Sequence, residues 1–275
     1  GAYTPFYVDI TGKNYKQIEV SCENTQNLDR IPLTSDFNKN GGIHYPAWVL
    51  DCPDVHFTPR KHGFYRLHVS PLSVTDDLAK AQARTMVRNV SAKPKKTVVE
   101  WALLDAEGKT ILAHKEKVSV PPDSEKELVW DFSLTDPHLW NGLADPYLYT
   151  VAVSAGKDRA EIEVGFRYFR VDPKEGFFLN GKSYPLRGVA MHQDLAGKAT
   201  AMDKADIDRD MEIVRELGCN FLRLAHYPHN DYTFRLCDRM GIVVQTEIPW
   251  VNNCGTEMSD AYVRNIYDQM AEMVN

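Results

Sequence analysis

Nothing in this chain approaches the roughly eighteen consecutive apolar residues that a membrane-spanning helix needs, and no charged-then-apolar leader opens it. Positive charge is also short: 32 Lys and Arg face 38 Asp and Glu, and the formal charge of −6 offers no footprint for nucleic acid. Cysteine is sparse, five in all, an odd number without CxxC spacing. Cys22, Cys52, Cys219, Cys237 and Cys254 therefore read as packed thiols rather than as a metal or disulfide framework. Cytoplasmic, periplasmic and secreted settings all stay open for a soluble chain. What is abundant is core material: 43% of the 275 residues are apolar, enough for one or two domains.

The first part of the chain is irregular. Short apolar runs (Phe6 to Val8, Ile18 to Val20, Trp48 to Leu50, Val55 to Phe57) are broken by turn residues, and two of them alternate like half-buried strands. A long segment from Asn24 to Pro46, holding Pro32, Asp36 and Gly41-Gly42, lies between them. Loops of that length in a compact domain are usually functional or disordered. Too few strands can be counted for a free-standing sandwich, so this part reads as the tail of a β domain.

From Phe64 the pattern becomes regular. Strands are expected over Phe64–Val69, Ala81–Val90, Thr97–Leu104, Thr110–Val118, Glu127–Phe132, Tyr147–Val153 and Arg159–Val171, with turn residues between them. Short strands at intervals of about a dozen residues predict an immunoglobulin-like β-sandwich. Trp101, Trp130 and Trp140 are expected as core or inter-domain plugs rather than sugar platforms.

Past Asp172-Pro173 the period changes. Phe177 to Leu179 and the turn Asn180-Gly181 predict a hairpin, and Leu186 to Met191 a buried strand ending at His192. Asp203 can cap a helix to Leu217 whose inward stripe is Ile207, Met211, Val214 and Leu217. Asn220 to Pro249 then reads as strand, amphipathic helix and strand in about thirty residues, the spacing of a right-handed parallel βαβ unit. A last helix, Ser259 to Val274, places Ile266, Met270 and Met273 inward. Three strand–helix repeats open either an α/β barrel or an open parallel sheet. About a hundred residues fall short of the roughly 250 of a closed barrel. The sequence is thus expected to be an excerpt of a longer enzyme, and on its own to self-associate through the uncovered sheet.

Arg223, His226 and Glu247 fall at the carboxyl ends of these strands, as does His192. In parallel α/β units those ends carry function, because the loops there converge. Glu247 is expected to pair with Arg223, and Trp250 just beyond it reads equally as a sugar-stacking face or a loop plug. His226 with His229 makes an HxxH pair without a third ligand, so no metal is expected there and His229 is assigned to the surface at the helix entry.

Several linked motifs resemble glycoside hydrolase family two, the β-galactosidase and β-glucuronidase family. They are Arg187-Gly188-Val189 with His192, the run from Asn220 to Pro228, and Leu236 to Val244. Upstream, Tyr3 to Phe6 with Asp9 to Thr11, and Asp36-Phe37 with Gly41 to Ile43, look like the last strands of that family's jelly-roll sugar-binding domain. Trp140-Asn141, Pro146 to Tyr149, Gly165 to Arg167 and Phe178 to Gly181 look like its sandwich and the junction to its barrel. The resemblance covers essentially the whole chain. It implies a jelly-roll end over residues 1–60, an immunoglobulin-like sandwich over 61–172, and the first three βα units of a TIM barrel over 173–275.

The resemblance implies retaining hydrolysis of β-linked glycosides by two glutamates, one acid/base and one nucleophile. Counted by strands, both are expected beyond Asn275, so Glu247 fills neither role and the segment alone is expected to be inactive. What stays is the substrate-holding part: Asp36, His192 and His226 on sugar hydroxyls, with Arg223, Glu247 and Trp250 supporting them. The Mg²⁺ ligand set of one well-known branch is not matched by Trp250 to Cys254, which offers neither carboxylate nor imidazole, so no cofactor is expected. β-Galactosidase is the preferred reading and β-glucuronidase the alternative within enzymes. A non-catalytic carbohydrate-binding or scaffold protein is the alternative outside them.

Overall fold

The computed structural model describes residues 3–10, 16–60, 62–63, 65–252 and 258–274. Phe64, at the start of one expected strand, lies outside the described residues, as do Thr11, Asn253 and Cys254. The chain forms two compact units: residues 50–186 with 238–241, and residues 1–49 with 187–237 and 242–275.

The first unit is a sandwich of two antiparallel sheets. In one, β3 (Leu78–Asn89) pairs along one edge with β1 (Val55–Thr58) and β2 (His68–Val74), and along the other with β6 (Ser124–Thr135). The other runs β5 (Thr110–Val120), β4 (Lys95–Leu104), β7 (Tyr149–Ala155) and β8 (Asp158–Val164). Strict alternation drives this arrangement: every second residue of β3 from Ala79 to Asn89 is buried while those between are not. The inward faces meet around Val87, Trp101, Leu103 and Val151. Trp130 packs against Trp101 and stacks on Phe132 with ring centroids 4.6 Å apart. Trp140 is 1% exposed, its indole N–H donating to the carbonyl of Asp238 at 2.7 Å. All three expected tryptophans are thus interior. Asn89 is fully buried and its amide donates to the carbonyls of Lys93, Val120 and Pro121, which lets the irregular strand ends enter the core without orphaned acceptors.

A small antiparallel sheet follows in the same unit: β9 (Phe169–Asp172), β10 (Gly176–Leu179) and β11 (Lys182–Ser183). Asn180 and Gly181, at φ 48° and 74°, close the hairpin expected there. The Val55–Phe57 alternation is a strand, and its partner is β3 of the sandwich. The runs Phe6–Val8 and Ile18–Val20 are not strands among the described residues, and Phe6, Val8 and Ile18 are exposed. Alternation alone does not hold a strand; cross-strand ladder pairing does, and among the described residues these runs join no ladder.

The second unit holds a parallel sheet ordered β12 (Gly188–Met191), β13 (Phe221–Leu224), β14 (Val243–Thr246). Registers pair Met191 with Leu224 and Leu224 with Thr246, so the three strands end level. Three helices follow the strands in turn: α1 (Lys204–Glu216), α2 (Asp231–Met240) and α3 (Asp260–Val274). A reciprocal capping box starts α1, with Asp203 accepting from the N–H groups of Ala205 and Asp206 while Asp206 accepts from Asp203. Ile207, Met211 and Val214 are buried as expected, but Leu217 is exposed because the chain has already left the helix. Ser259 caps α3 through the N–H of Tyr262. Tyr262 and Gln269 are the buried residues of α3, Ile266 and Met273 pack beside them as expected, and Met270 is exposed. The centre strand β13 buries Leu222 and Leu224 completely, whereas β12, expected buried, is an exposed edge that pairs on one side only. Gly188 begins β12 where a Cβ would lie 1.8 Å from the carbonyl oxygen of Phe221, so no larger residue fits that strand pairing. Among the described residues no helix is long and apolar enough to cross a membrane.

Candidate functional site

The three level strand ends deliver three side chains. His192 follows β12 directly, His226 comes two residues after β13, and Glu247 follows β14. Arg223, inside β13, reaches forward to the same place. Its guanidinium grips Glu247 with two prongs, Nε to Oε1 at 2.6 Å and Nη2 to Oε2 at 3.1 Å. That fork is the strong form of the carboxylate–guanidinium contact. It holds the Glu247 carboxyl below the usual carboxylate range, Arg223 being the main cause, and raises the Arg223 guanidinium in turn.

Glu247 Oε2 also lies 3.1 Å from His226 Nδ1, and Arg223 Nη2 lies 3.1 Å from the same nitrogen. The Nδ1–H tautomer donates to Glu247 and leaves Nε2 as an acceptor; the other tautomer accepts from Arg223. Either way Nε2 is turned toward Asp36, whose Oδ1 is 3.9 Å away. The imidazoles of His192 and His226 stand nearly perpendicular, centroids 5.1 Å apart. Burial, helped by the neighbouring His226, lowers the His192 pKa and favours its neutral ring at pH 7. The Tyr227 hydroxyl sits 3.5 Å from His192 Nδ1, the limit of hydrogen-bond reach. With Tyr227 as donor there, Nε2–H of His192 becomes the free donor.

Asp36 arrives from the irregular segment rather than from the sheet. The Phe37 ring beside it packs among Tyr227, His192 and His226, with centroids 5.0, 6.0 and 6.2 Å away. A cavity of about 270 Å³ opens here, lined by Asp36, Phe37, Asn38, His192, Asp194, Thr200 and Tyr227. His226 stands beside this hollow, in contact with both Asp36 and His192. The structure thus brings together Asp36, His192, His226, Arg223 and Glu247. It does not bring Trp250: that side chain is 42% exposed, and among the described residues it makes no hydrogen bond or ring contact with the cluster. His229, expected on the surface, is 4% exposed. Its Nε2–H donates to the Ala225 carbonyl at 3.1 Å and its ring stacks on Tyr227, so the turn after β13 folds it inward.

Residues that local sequence pattern did not single out complete the rim. Gln193 is 3% exposed; its carbonyl accepts from the N–H of Asn230 at 2.6 Å and from the Tyr45 hydroxyl at 3.4 Å. Its amide donates to the Thr200 carbonyl at 3.3 Å, tying three loops together next to His192. A polar residue directly after a strand-end histidine was the available signal.

The profile of "Glycosyl hydrolases family 2, TIM barrel domain" matches residues 170–273, and that of "Glycosyl hydrolases family 2" matches residues 64–167. The chain belongs to glycoside hydrolase family 2. The parallel sheet and its helices are therefore the opening of a TIM barrel, and the sandwich before it is the family's immunoglobulin-like domain. A β-glucuronidase of Bacteroides fragilis is 34% identical over 93% of this chain and 38% of its own length. A β-galactosidase of Bacteroides ovatus is 32% identical over 75% of this chain and 24% of its own. The crystal structure of a Bacteroides uniformis β-glucuronidase superposes with a TM-score of 0.86 at 27% identity, covering 92% of this chain and 31% of that one. The chain thus spans well under half the length of these relatives.

Proposed function

We propose that this chain is the sugar-holding part of a retaining β-glycosidase, β-galactosidase-like in preference. The observation that carries the proposal is the convergence of Asp36 and two strand-end imidazoles, His192 and His226, on one hollow. Asp36 accepts from neighbouring ring hydroxyls. His192 and His226 each offer one nitrogen as donor or acceptor, and such hydrogen bonds tighten as the ring gains oxocarbenium character. Glu247 is fixed by Arg223 as a half-buried counter-charge, so the acid/base and nucleophile glutamates are assigned outside these residues.

A β-glucuronidase is the second reading, favoured by the relative at 34% identity. It would need a cation for the uronate carboxylate. The cavity lining holds two carboxylates, Asp36 and Asp194, and neither Lys nor Arg, which favours a neutral ring in this part of the site. The donor set from Trp250 to Cys254 does not suit a hard cation, and no step is assigned to a metal there.

The full-length natural protein is expected to hydrolyse 4-nitrophenyl β-galactoside with at least about tenfold higher kcat/KM than the β-glucuronide, a margin of about 1.4 kcal/mol. Residues 1–275 alone are expected to release no nitrophenol above background; clear turnover by them would overturn the placement of both glutamates. Chelation with EDTA is expected to leave kcat/KM of the full-length protein within about twofold of its value without chelator. Preference for the glucuronide would select the second reading, and hydrolysis of neither would remove both.

A further inference from the structure

Asp36 is an exposed carboxylate on a segment without a β-ladder, so something other than a sheet must fix its place. Beside the Phe37 packing, the segment is held at Ile31, five residues upstream. Its side chain is 4% exposed and packs with Ile248 and Tyr262. Its backbone is held on both sides by one face of α3. The Ile31 N–H donates to Asn265 Oδ1 at 3.0 Å, and its carbonyl accepts from Gln269 Nε2 at 3.3 Å. Gln269 Nε2 also donates to Asn265 Oδ1 at 2.9 Å, so the two amides, one helical turn apart, form a single fork. Gln269 is 5% exposed. A buried amide on a helix face is costly unless satisfied, and here it donates to the main-chain carbonyl of Ile31 in a distant segment as well as to Asn265. Ser259, which caps α3, adds a hydrogen bond to Asp29 at 2.5 Å.

We infer that Asn265 and Gln269 are positioning residues that clamp Ile31 and thereby hold Asp36 over the cavity. The inference rests on the reading of Asp36 as a sugar ligand. Neither amide touches the cavity. Their work is to remove freedom from the segment before the sugar arrives, so that binding does not have to order it.

The test is a double-mutant cycle in the full-length natural protein, with the nitrophenyl glycoside it turns over. Asn265→Leu is expected to lower kcat/KM about tenfold in the parent and less than about twofold in an Asp36→Ala background, because the group it positions is then gone. Asn265→Asp keeps the acceptor for Ile31 and is expected to restore most of the loss. Hydrogen exchange over residues 28–40 should rise in Asn265→Leu while that of α1 stays unchanged. If Asn265→Leu does not fold, Gln269→Met, which removes the donor to the Ile31 carbonyl and to Asn265 Oδ1 but leaves the Asn265 acceptor for the Ile31 N–H, carries the same cycle. Equal losses in both backgrounds would mean a purely structural role and overturn the inference. If the parent turns over no β-glycoside, the proposed function falls. The clamp is then judged by exchange alone, and unchanged protection over 28–40 in Asn265→Leu would refute it.

Discussion

Asp36→Ala is expected to lower kcat/KM for the hydrolysed β-glycoside by about 10³-fold in the full-length natural protein, roughly 4 kcal/mol of transition-state stabilisation. The size follows from what the carboxylate can do. Hydrogen bonds to an ionised acceptor are each worth about 1.5–3 kcal/mol, and a carboxylate can take two vicinal hydroxyls at once. Part of that energy is realised only as charge develops on the ring, so kcat should fall as well as KM rise. Asp36 is 58% exposed at its side chain, which makes the substitution mild for the fold. Thermal unfolding should move little, separating a lost sugar contact from a lost structure. Asp36→Asn keeps an oxygen acceptor without the charge and should fall between parent and alanine. A drop of less than about tenfold in the alanine variant would take Asp36 out of the sugar's reach.

Much of this site was legible because its residues sit where regular structure stops. Parallel strand, helix and strand in thirty residues fixes which strand ends share one side of the sheet, and His192, His226 and Glu247 occupy them. Asp203 announces the start of α1, and the structure adds Asp206 as the other half of a capping box. Where partners are remote, the sequence is silent. Ile31 meets Asn265 across 234 residues, and no local pattern marks either as half of a clamp. The run Ile18–Val20 alternates like a strand, yet a strand is decided by its neighbour, and among the described residues this run is not part of a strand. His229 illustrates the same limit at short range. Its four-residue neighbourhood looks like an exposed helix entry, but the turn that follows β13 folds the ring under Tyr227.

That buried ring sets an acid limit on the fold. His229 donates from Nε2 to Ala225, while its Nδ1 is enclosed without a hydrogen-bond partner among the described residues. Burial is the main cause that brings its pKa down to about 4. A histidine whose pKa is lower folded than unfolded supports the native state above the unfolded value, near 6.5, and the support drains away as pH falls toward the folded one. Between pH 7 and pH 4 the loss attributable to this one ring is about 3 kcal/mol, since 1.36 kcal/mol accompanies each unit of difference. His229→Gln keeps a side-chain amide that can donate to Ala225 but does not titrate. It is expected to cost stability at pH 7 and yet to flatten the pH dependence, so that the gap between the two proteins narrows or reverses by pH 4. Urea unfolding at several pH values, followed through hydrogen exchange of β13 and α2, reads the difference directly. Parallel pH profiles for parent and variant would show that the ring protonates without strain, and the acid sensitivity would then have to come from His192 or from the Arg223–Glu247 pair instead.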